Sequence, residues 1–203
     1  GFAEKKAKYQ AYVEQMLTLV GWAKPAENAK AIVDFETAVA EASWSRIQRR
    51  DRDKTYNPMT PAELAAYTPG FDWNRYLAAT GLPPVERIIV TTNTAFPKVA
   101  KVYADTPLDT LKAWQAFHVA DGAAPLLSKR FVDANYQFQN KELAGQPEIQ
   151  PRWKRAATFM DGAIGESVGR VYVQRHFPPE AKAKMDDLVA NIRLAMQNRI
   201  QKL

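Results

Sequence analysis

Cysteine is absent from the 203 residues. That one absence removes disulfides, thiolate zinc ligands and thiol nucleophiles together. Histidine is almost absent: His118 and His176 stand far apart in the chain. A zinc-peptidase helix needs two His four residues apart, with a Glu beside the first to act as base. That arrangement is excluded here. No apolar run approaches the ~20 residues of a membrane-spanning helix, and no signal-peptide pattern is visible. Long runs of one charge sign are also missing. Lys and Arg number 28 against 22 Asp and Glu, a formal charge of +6 and a sequence pI near 9.4. The signs alternate, as in Arg49-Arg50-Asp51-Arg52-Asp53-Lys54. A solvated surface accounts for this balance better than a nucleic-acid or anionic-membrane footprint. There is no internal repeat and no low-complexity stretch.

What is present is a helical period over almost the whole length. The 46% of hydrophobic residues suffice for one sizeable core or two small ones. Tyr9, Tyr12, Val13, Met16, Leu17 and Val20 occupy one face of a helix that Gly21 closes. Pro25 opens a second, expected to turn Ile32, Val33, Val39 and Ala40 inward. A polar loop follows from about Arg49 to Met59. Thr60-Pro61-Ala62-Glu63 is a capping box with Pro at the first helical position. Asp72 caps a short helix holding Trp73, Tyr76 and Leu77 ahead of Gly81 and Pro83-Pro84. Arg87 to Thr92 is the one strand signal, expected to stand isolated or to pair outside the chain. From Thr106 another helix is expected to bury Leu108, Leu111 and Trp114 and to break at Gly122. A further one runs through Leu127, Phe131, Ala134 and Phe138 to Gly145. Pro151 opens a long helix with Trp153, Ala157, Met160, Ile164 and Val171. The last begins near Pro179 and presents Met185, Leu188, Val189, Ile192, Met196, Ile200 and Leu203. The predicted class is all-α, with at most one short extended segment near Ile88–Thr91.

The chemical inventory is thin. His118 stands three residues before Asp121, and a helix-surface hydrogen bond between them is the expected arrangement. His176 closes a helix, where a cation favours the last carbonyls. Gly162, Gly165 and Gly169 lie on one helical face; neither a GxGxxG nor a P-loop pattern accompanies them, so close helix–helix approach is expected. Asp161 and Glu166 diverge, and Asp186-Asp187 is solvated. The aromatics Phe71, Trp73, Tyr76, Trp114 and Trp153 fit core packing before base stacking. No catalytic set and no metal-ligand set emerges.

The order of several stretches says more. Phe35-Glu36 is followed by Arg49-Arg50-Asp51, Tyr56-Asn57-Pro58-Met59-Thr60 and Pro69-Gly70-Phe71-Asp72-Trp73. Next come Ala134-Asn135-Tyr136-Gln137-Phe138, Arg152-Trp153-Lys154-Arg155, Gly162-Ala163-Ile164-Gly165-Glu166 and Gly169-Arg170-Val171-Tyr172-Val173. Phe177-Pro178-Pro179-Glu180 then precedes Asn191-Ile192-Arg193. From about Tyr9 to Leu203 the chain resembles the amino-terminal, non-zinc region of the neprilysin and endothelin-converting-enzyme family of zinc metallopeptidases.

That resemblance implies a segment, 1–203, that is a single helical lobe of a larger peptidase and is truncated at both ends. The carboxyl-terminal catalytic lobe would be its partner, short peptides the substrates, and zinc the cofactor of the parent protein but not of this segment. The helical lobe would enclose the cavity and restrict substrate size. Catalytic and metal-binding residues are expected to be none here. Arg49, Arg50, Asp51, Tyr56 and Asn57 are candidates either for the cavity lining or for ordering the loop between helices, the second being favoured. Animal members of the family are disulfide-rich, so a cysteine-free chain resembles a bacterial member, with a periplasmic or secreted parent expected. Two competing classes remain open: a scaffold or peptide-binding relative of an inactive peptidase, and a basic nucleic-acid-binding module.

Overall fold

The stripe at Tyr12, Val13, Met16 and Leu17 folds as α1, Phe2–Leu19, with those four side chains buried. A computed structural model describes residues 1–202 of the chain; Leu203, expected on the inner face of the last helix, lies outside them. Helices and one minimal two-stranded ribbon are the regular structure of the described residues, the all-α class the sequence predicts. They divide into two compact units, one from Gly1 to Pro147 and one from Glu148 onward.

In the first unit, Pro25 starts α2, Pro25–Ala42, which buries Ala29, Ile32, Val33 and Phe35. Val39 and Ala40, expected inside, are half-buried and exposed, because the packed face of α2 runs out before its last turn. Helix α3, Pro61–Tyr67, carries its capping box: Glu63 N donates to Thr60 Oγ1 at 3.2 Å, and Thr60 N to Glu63 Oε2 at 2.8 Å. Such a reciprocal cap satisfies two backbone donors that the helix itself leaves orphaned. Asp72 caps α4, Trp73–Ala79, through Arg75 N at 3.0 Å.

The strand signal shrinks to β2, Ile88–Ile89, and finds its partner inside the chain. It pairs antiparallel with β1, Pro58–Met59, in the register Pro58↔Ile89 and Met59↔Ile88. The expectation of an isolated or externally paired strand is therefore corrected. The partner sits in a stretch whose polar neighbours gave no period of two.

Helix α5 spans Phe96–Asp105 and α6 spans Leu108–Ala123. The buried side of α6 is Ala113, Phe117 and Ala120, not Leu108, Leu111 and Trp114. Leu108 is exposed and Trp114 only partly buried. Small residues win because α6 lies against both α1 and α2, and alanines let backbones come close. The helix also passes through Gly122 and tightens into a 3-10 turn at Ala124–Leu126. Beyond it, α7, Lys129–Asn135, continues as a π-helical stretch, Tyr136–Leu143, that ends before Gly145 at φ +70°. That backbone region suits glycine.

The first unit's core joins α1, α2, α6, α7 and Phe138. Phe117 lies at its centre, with Tyr9 and Tyr12 edge-on at 6.0 and 5.9 Å. Tyr12 also stacks on Phe138 at 4.8 Å.

The second unit holds α8, Arg152–His176, and α9, Pro179–Ile200. Neither has a buried residue among the described ones. Helix α8 kinks at Ile164 (φ −138°, ψ 27°), between Gly162 and Gly165, where missing side chains lower the resistance to bending. A methyl group added at Gly162, Gly165 or Gly169 would meet nothing within 4 Å. The close approach expected at these glycines is thus not formed among the described residues.

Phe117 is 1% exposed. Phe117→Ala is expected to cost about 3–5 kcal/mol, read as a drop in the urea midpoint at unchanged slope. Val119→Ala, two residues away and 60% exposed, is expected to cost under about 0.5 kcal/mol.

Candidate functional site

Two carboxylates organise the polar interior of the first unit. Glu36 on α2 accepts from Trp114 Nε1 at 3.0 Å and from His118 Nε2 at 2.8 Å, both to Oε1. Tyr9 of α1 bonds the same carboxylate. An ionised carboxylate offers only acceptors, so the imidazole donates through Nε2. Burial raises the pKa of Glu36, but the bonds from His118, Tyr9 and Trp114 outweigh it and the net shift is downward. Burial first, and the Glu36 bond second, push the Tyr9 phenol well above its ordinary range.

Asp121 on α6 is the second hub. Tyr12 donates to its Oδ1 and Asn135 Nδ2 to the same oxygen at 2.9 Å, while Gln139 Nε2 reaches Oδ2 at 3.4 Å. Asn135 Nδ2 also meets the Tyr12 hydroxyl at 3.2 Å. Asn135 and Gln139 straddle the change from α to π winding, a winding often found where a helix must aim particular side chains. Lys8 adds a tie from α1 to Glu142 at 2.6 Å. The expected His118–Asp121 pair is corrected: His118 crosses to Glu36, 82 positions away in sequence, and Asp121 crosses to α1 and α7. The signal available was Phe35-Glu36 and Ala134-Asn135, already noted as motifs.

The five candidate residues lie together in the α2–α3 connection. Arg49 Nε donates to Trp44 O at 3.1 Å, and Arg50 ends the 3-10 turn Gln48–Arg50. Asp51 pairs with Lys54 Nζ at 2.7 Å and accepts its backbone N–H at 3.3 Å. Tyr56 is 62% exposed. Asn57 does the joining: its Nδ2 donates to Lys54 O at 2.7 Å and Val90 O at 2.9 Å, its Oδ1 accepts from Asn93 at 3.1 Å, and its carbonyl accepts from Val90 N at 2.9 Å. Asn57 therefore fastens the loop to the residue that follows β2.

Each hub carboxylate is occupied by bonds between helices. No group of three or more His, Cys, Asp or Glu is placed to hold a metal ion among the described residues. His176 ends α8 with its ring 4.8 Å from Tyr172. No helix among the described residues is long and apolar enough to cross a membrane.

Known proteins resemble this chain over nearly its whole length. The profile of peptidase family M13, for its amino-terminal region, matches residues 2–203. The chain belongs to that family. Neprilysin-2 of Drosophila melanogaster is 28% identical over 203 residues, covering 91% of this chain and 26% of the fly protein. The neutral endopeptidase of Lactobacillus helveticus is 27% identical over 166 residues, covering 82% of this chain and 26% of that protein. Among solved structures, the zinc metalloprotease Zmp1 of Mycobacterium tuberculosis in its open state superposes with a TM-score of 0.84 at 32% identity. That match covers 99% of this chain and 32% of Zmp1. The chain spans about a quarter to a third of the length of these relatives.

The depressed Glu36 pKa fixes the sign of a pH effect. Stability from its three bonds is present above its ordinary value of 4.5 and is lost as pH falls through the lower folded value. Glu36→Gln is expected to cost about 1–2 kcal/mol near neutral pH, and to flatten the fall in unfolding free energy between roughly pH 5 and 3. Denaturant titrations at a series of pH values check both.

Proposed function

We propose that these 203 residues are the helical lobe of a zinc endopeptidase that hydrolyses short peptides, and that the lobe encloses the cavity and limits what enters it. One observation carries the reading: the match runs over residues 2–203 with the same fold as Zmp1, a zinc metalloprotease. Supporting it, the first unit is cross-tied by Glu36 and Asp121 from α1 through α7, so it presents a stiff wall. Exclusion by size needs stiffness, not reactive groups.

On this reading zinc belongs to the remainder of the parent protein. When bound there it would supply a Lewis acid and an activated water. The residues of this chain would contribute by excluding folded proteins and bulk water. Arg49, Arg50, Asp51, Tyr56 and Asn57 would serve by ordering the α2–α3 connection, with Asn57 as its anchor. We extend the reading to an extracytoplasmic, bacterial-type parent; the cysteine-free composition and the similarity to Lactobacillus and Mycobacterium proteins support it.

Peptide hydrolysis tests the proposal directly. The parent extended through its natural carboxyl terminus is expected to cleave short peptides, and a zinc chelator to abolish cleavage. The 203-residue chain alone is expected to be inert with zinc supplied. Inertness of the extended form would favour a scaffold, and chelator-sensitive cleavage by the 203 residues would overturn the assignment of roles.

A further inference from the structure

The connection from α2 to α3 is fastened at both ends and buried nowhere between. Trp44 Nε1 donates to Thr94 Oγ1 at 2.9 Å on one side, and Asn57 holds Val90 and Asn93 on the other. None of residues 45–56 is buried, and Ile47 is 80% exposed. A few exposed hydrogen bonds keep the first turn closed. Ser45 N donates to Gln48 Oε1 at 2.8 Å, Gln48 N to Ser45 Oγ at 3.3 Å and Arg49 N to Ser45 O at 3.2 Å. Opening the turn uncovers no buried side chain, so the segment has low local stability. It also carries five cations, Arg46, Arg49, Arg50, Arg52 and Lys54.

A protease reads its substrate in extended form, which a helix withholds and an exposed connection can give. Elsewhere between the helices, among the described residues, Lys and Arg stand only at Lys24 and Arg87. Lys24 precedes Pro25, whose ring replaces the N–H of that peptide bond. Arg87 has Glu86 before it and Ile88 after it, and Ile88 is paired with Met59 in the ribbon. Within the connection, Asp follows both Arg50 and Arg52, Lys54 is paired with Asp51 at 2.7 Å, and Arg49 lies inside the 3-10 turn. A trypsin-like pocket holds arginine on a carboxylate, and acids beside the scissile bond meet that charge as like to like. Arg46 alone in the connection has uncharged neighbours on both sides, Ser45 and Ile47.

We propose that the Arg46–Ile47 bond is a processing site for a trypsin-like serine protease. Water adds across the amide, leaving a carboxylate on Arg46 and an ammonium on Ile47. The two pieces stay together. Residues 1–46 bring α1 and α2, whose Met16, Leu17, Ile32 and Val33 share one core with Phe117 and Phe131 of the other piece. The bonds of Glu36 to Trp114 and His118, and of Tyr12 to Asp121, cross the same join. The nick therefore releases the tether between α2 and α3 and leaves the core closed. The site stands whether or not the parent hydrolyses peptides.

Brief digestion with a low proportion of trypsin, followed by mass spectrometry of the pieces, tests the site in the 203-residue chain and in the extended parent. In both, the first cut within residues 1–147 is expected after Arg46. The nicked protein is expected to elute at the size of the intact one, and to release residues 1–46 only in denaturant. Arg46→Gln should slow cleavage of the connection by about tenfold or more. Its unfolding midpoint should not move, because the side chain is exposed. Arg46→Lys should keep the cut. A first cut after Arg87, or inside a helix of the first unit, would overturn the proposal. So would an Arg46→Gln protein cut between Ser45 and Asn57 as fast as the original, or resistance of this bond in the parent. Pieces that part without denaturant would overturn the shared core as what joins them.

Discussion

Glu36 is the point through which three helices of the first unit are held. One carboxylate on α2 takes bonds from Tyr9 of α1 and from Trp114 and His118 of α6. Removing it would strand an indole N–H, a phenol and an imidazole beside a packed core, and buried donors without partners cost more than the bonds they make are worth. Trp114 stands edge-on to Phe35 at 5.6 Å, and Phe117 sits between Tyr9 and Tyr12. The polar hub and the aromatic core thus share the same residues. Asp121 repeats the device one turn along α6, toward α1 and the π-helical stretch. Two hubs bearing on α6, one from α2 and one its own, fix both its rotation and its height, which apolar packing alone specifies poorly.

Local chemistry was readable where it is local. The α1 stripe as far as Leu17, the Thr60 box and the Asp72 cap each lie within a few residues of sequence, and the structure shows them in place; Val20, expected on the same stripe, is exposed just past the end of α1. The α6 face was misjudged because large apolar side chains were weighted over alanines. Close approach of α1 and α2 selects Ala113 and Ala120 for the inside and leaves Leu108 in water. The β1 partner escaped notice because two residues cannot display a period. Both hubs join residues far apart in sequence, 82 positions for Glu36–His118 and 109 for Tyr12–Asp121. No periodicity carries such a pairing, so His118 was matched to the nearest acid on its own helix. The ordered motifs did contain both halves, Phe35-Glu36 and Ala134-Asn135, without saying what they touched.

The family resemblance was legible although the two-His zinc motif is not in the sequence, and the structure explains why. Several of the residues that carry it also hold the first unit together: Glu36, Asn57 and Asn135 each tie segments distant in sequence. Phe35 and Phe138 fill the core those ties enclose. Gly162, Gly165 and Gly169 are different. Each costs about 1 kcal/mol against alanine within a helix, and nothing in the described residues offsets that cost. A sequence feature that is unfavourable in the structure at hand asks for a compensating neighbour elsewhere.

The same reasoning divides the chain by self-sufficiency. Burial of apolar area is the main favourable contribution to folding, and the first unit has it in Met16, Leu17, Ile32 and Phe117. The second shows none among the described residues, so its helices rely on backbone hydrogen bonds and propensity, which stabilise isolated helices only marginally. Helix α8 carries three glycines and a kink, and α9 carries Val189, Asn191 and Ile192, β-branched or side-chain-bonding types that lower propensity further. Propensity therefore does not account for two helices of 25 and 22 residues.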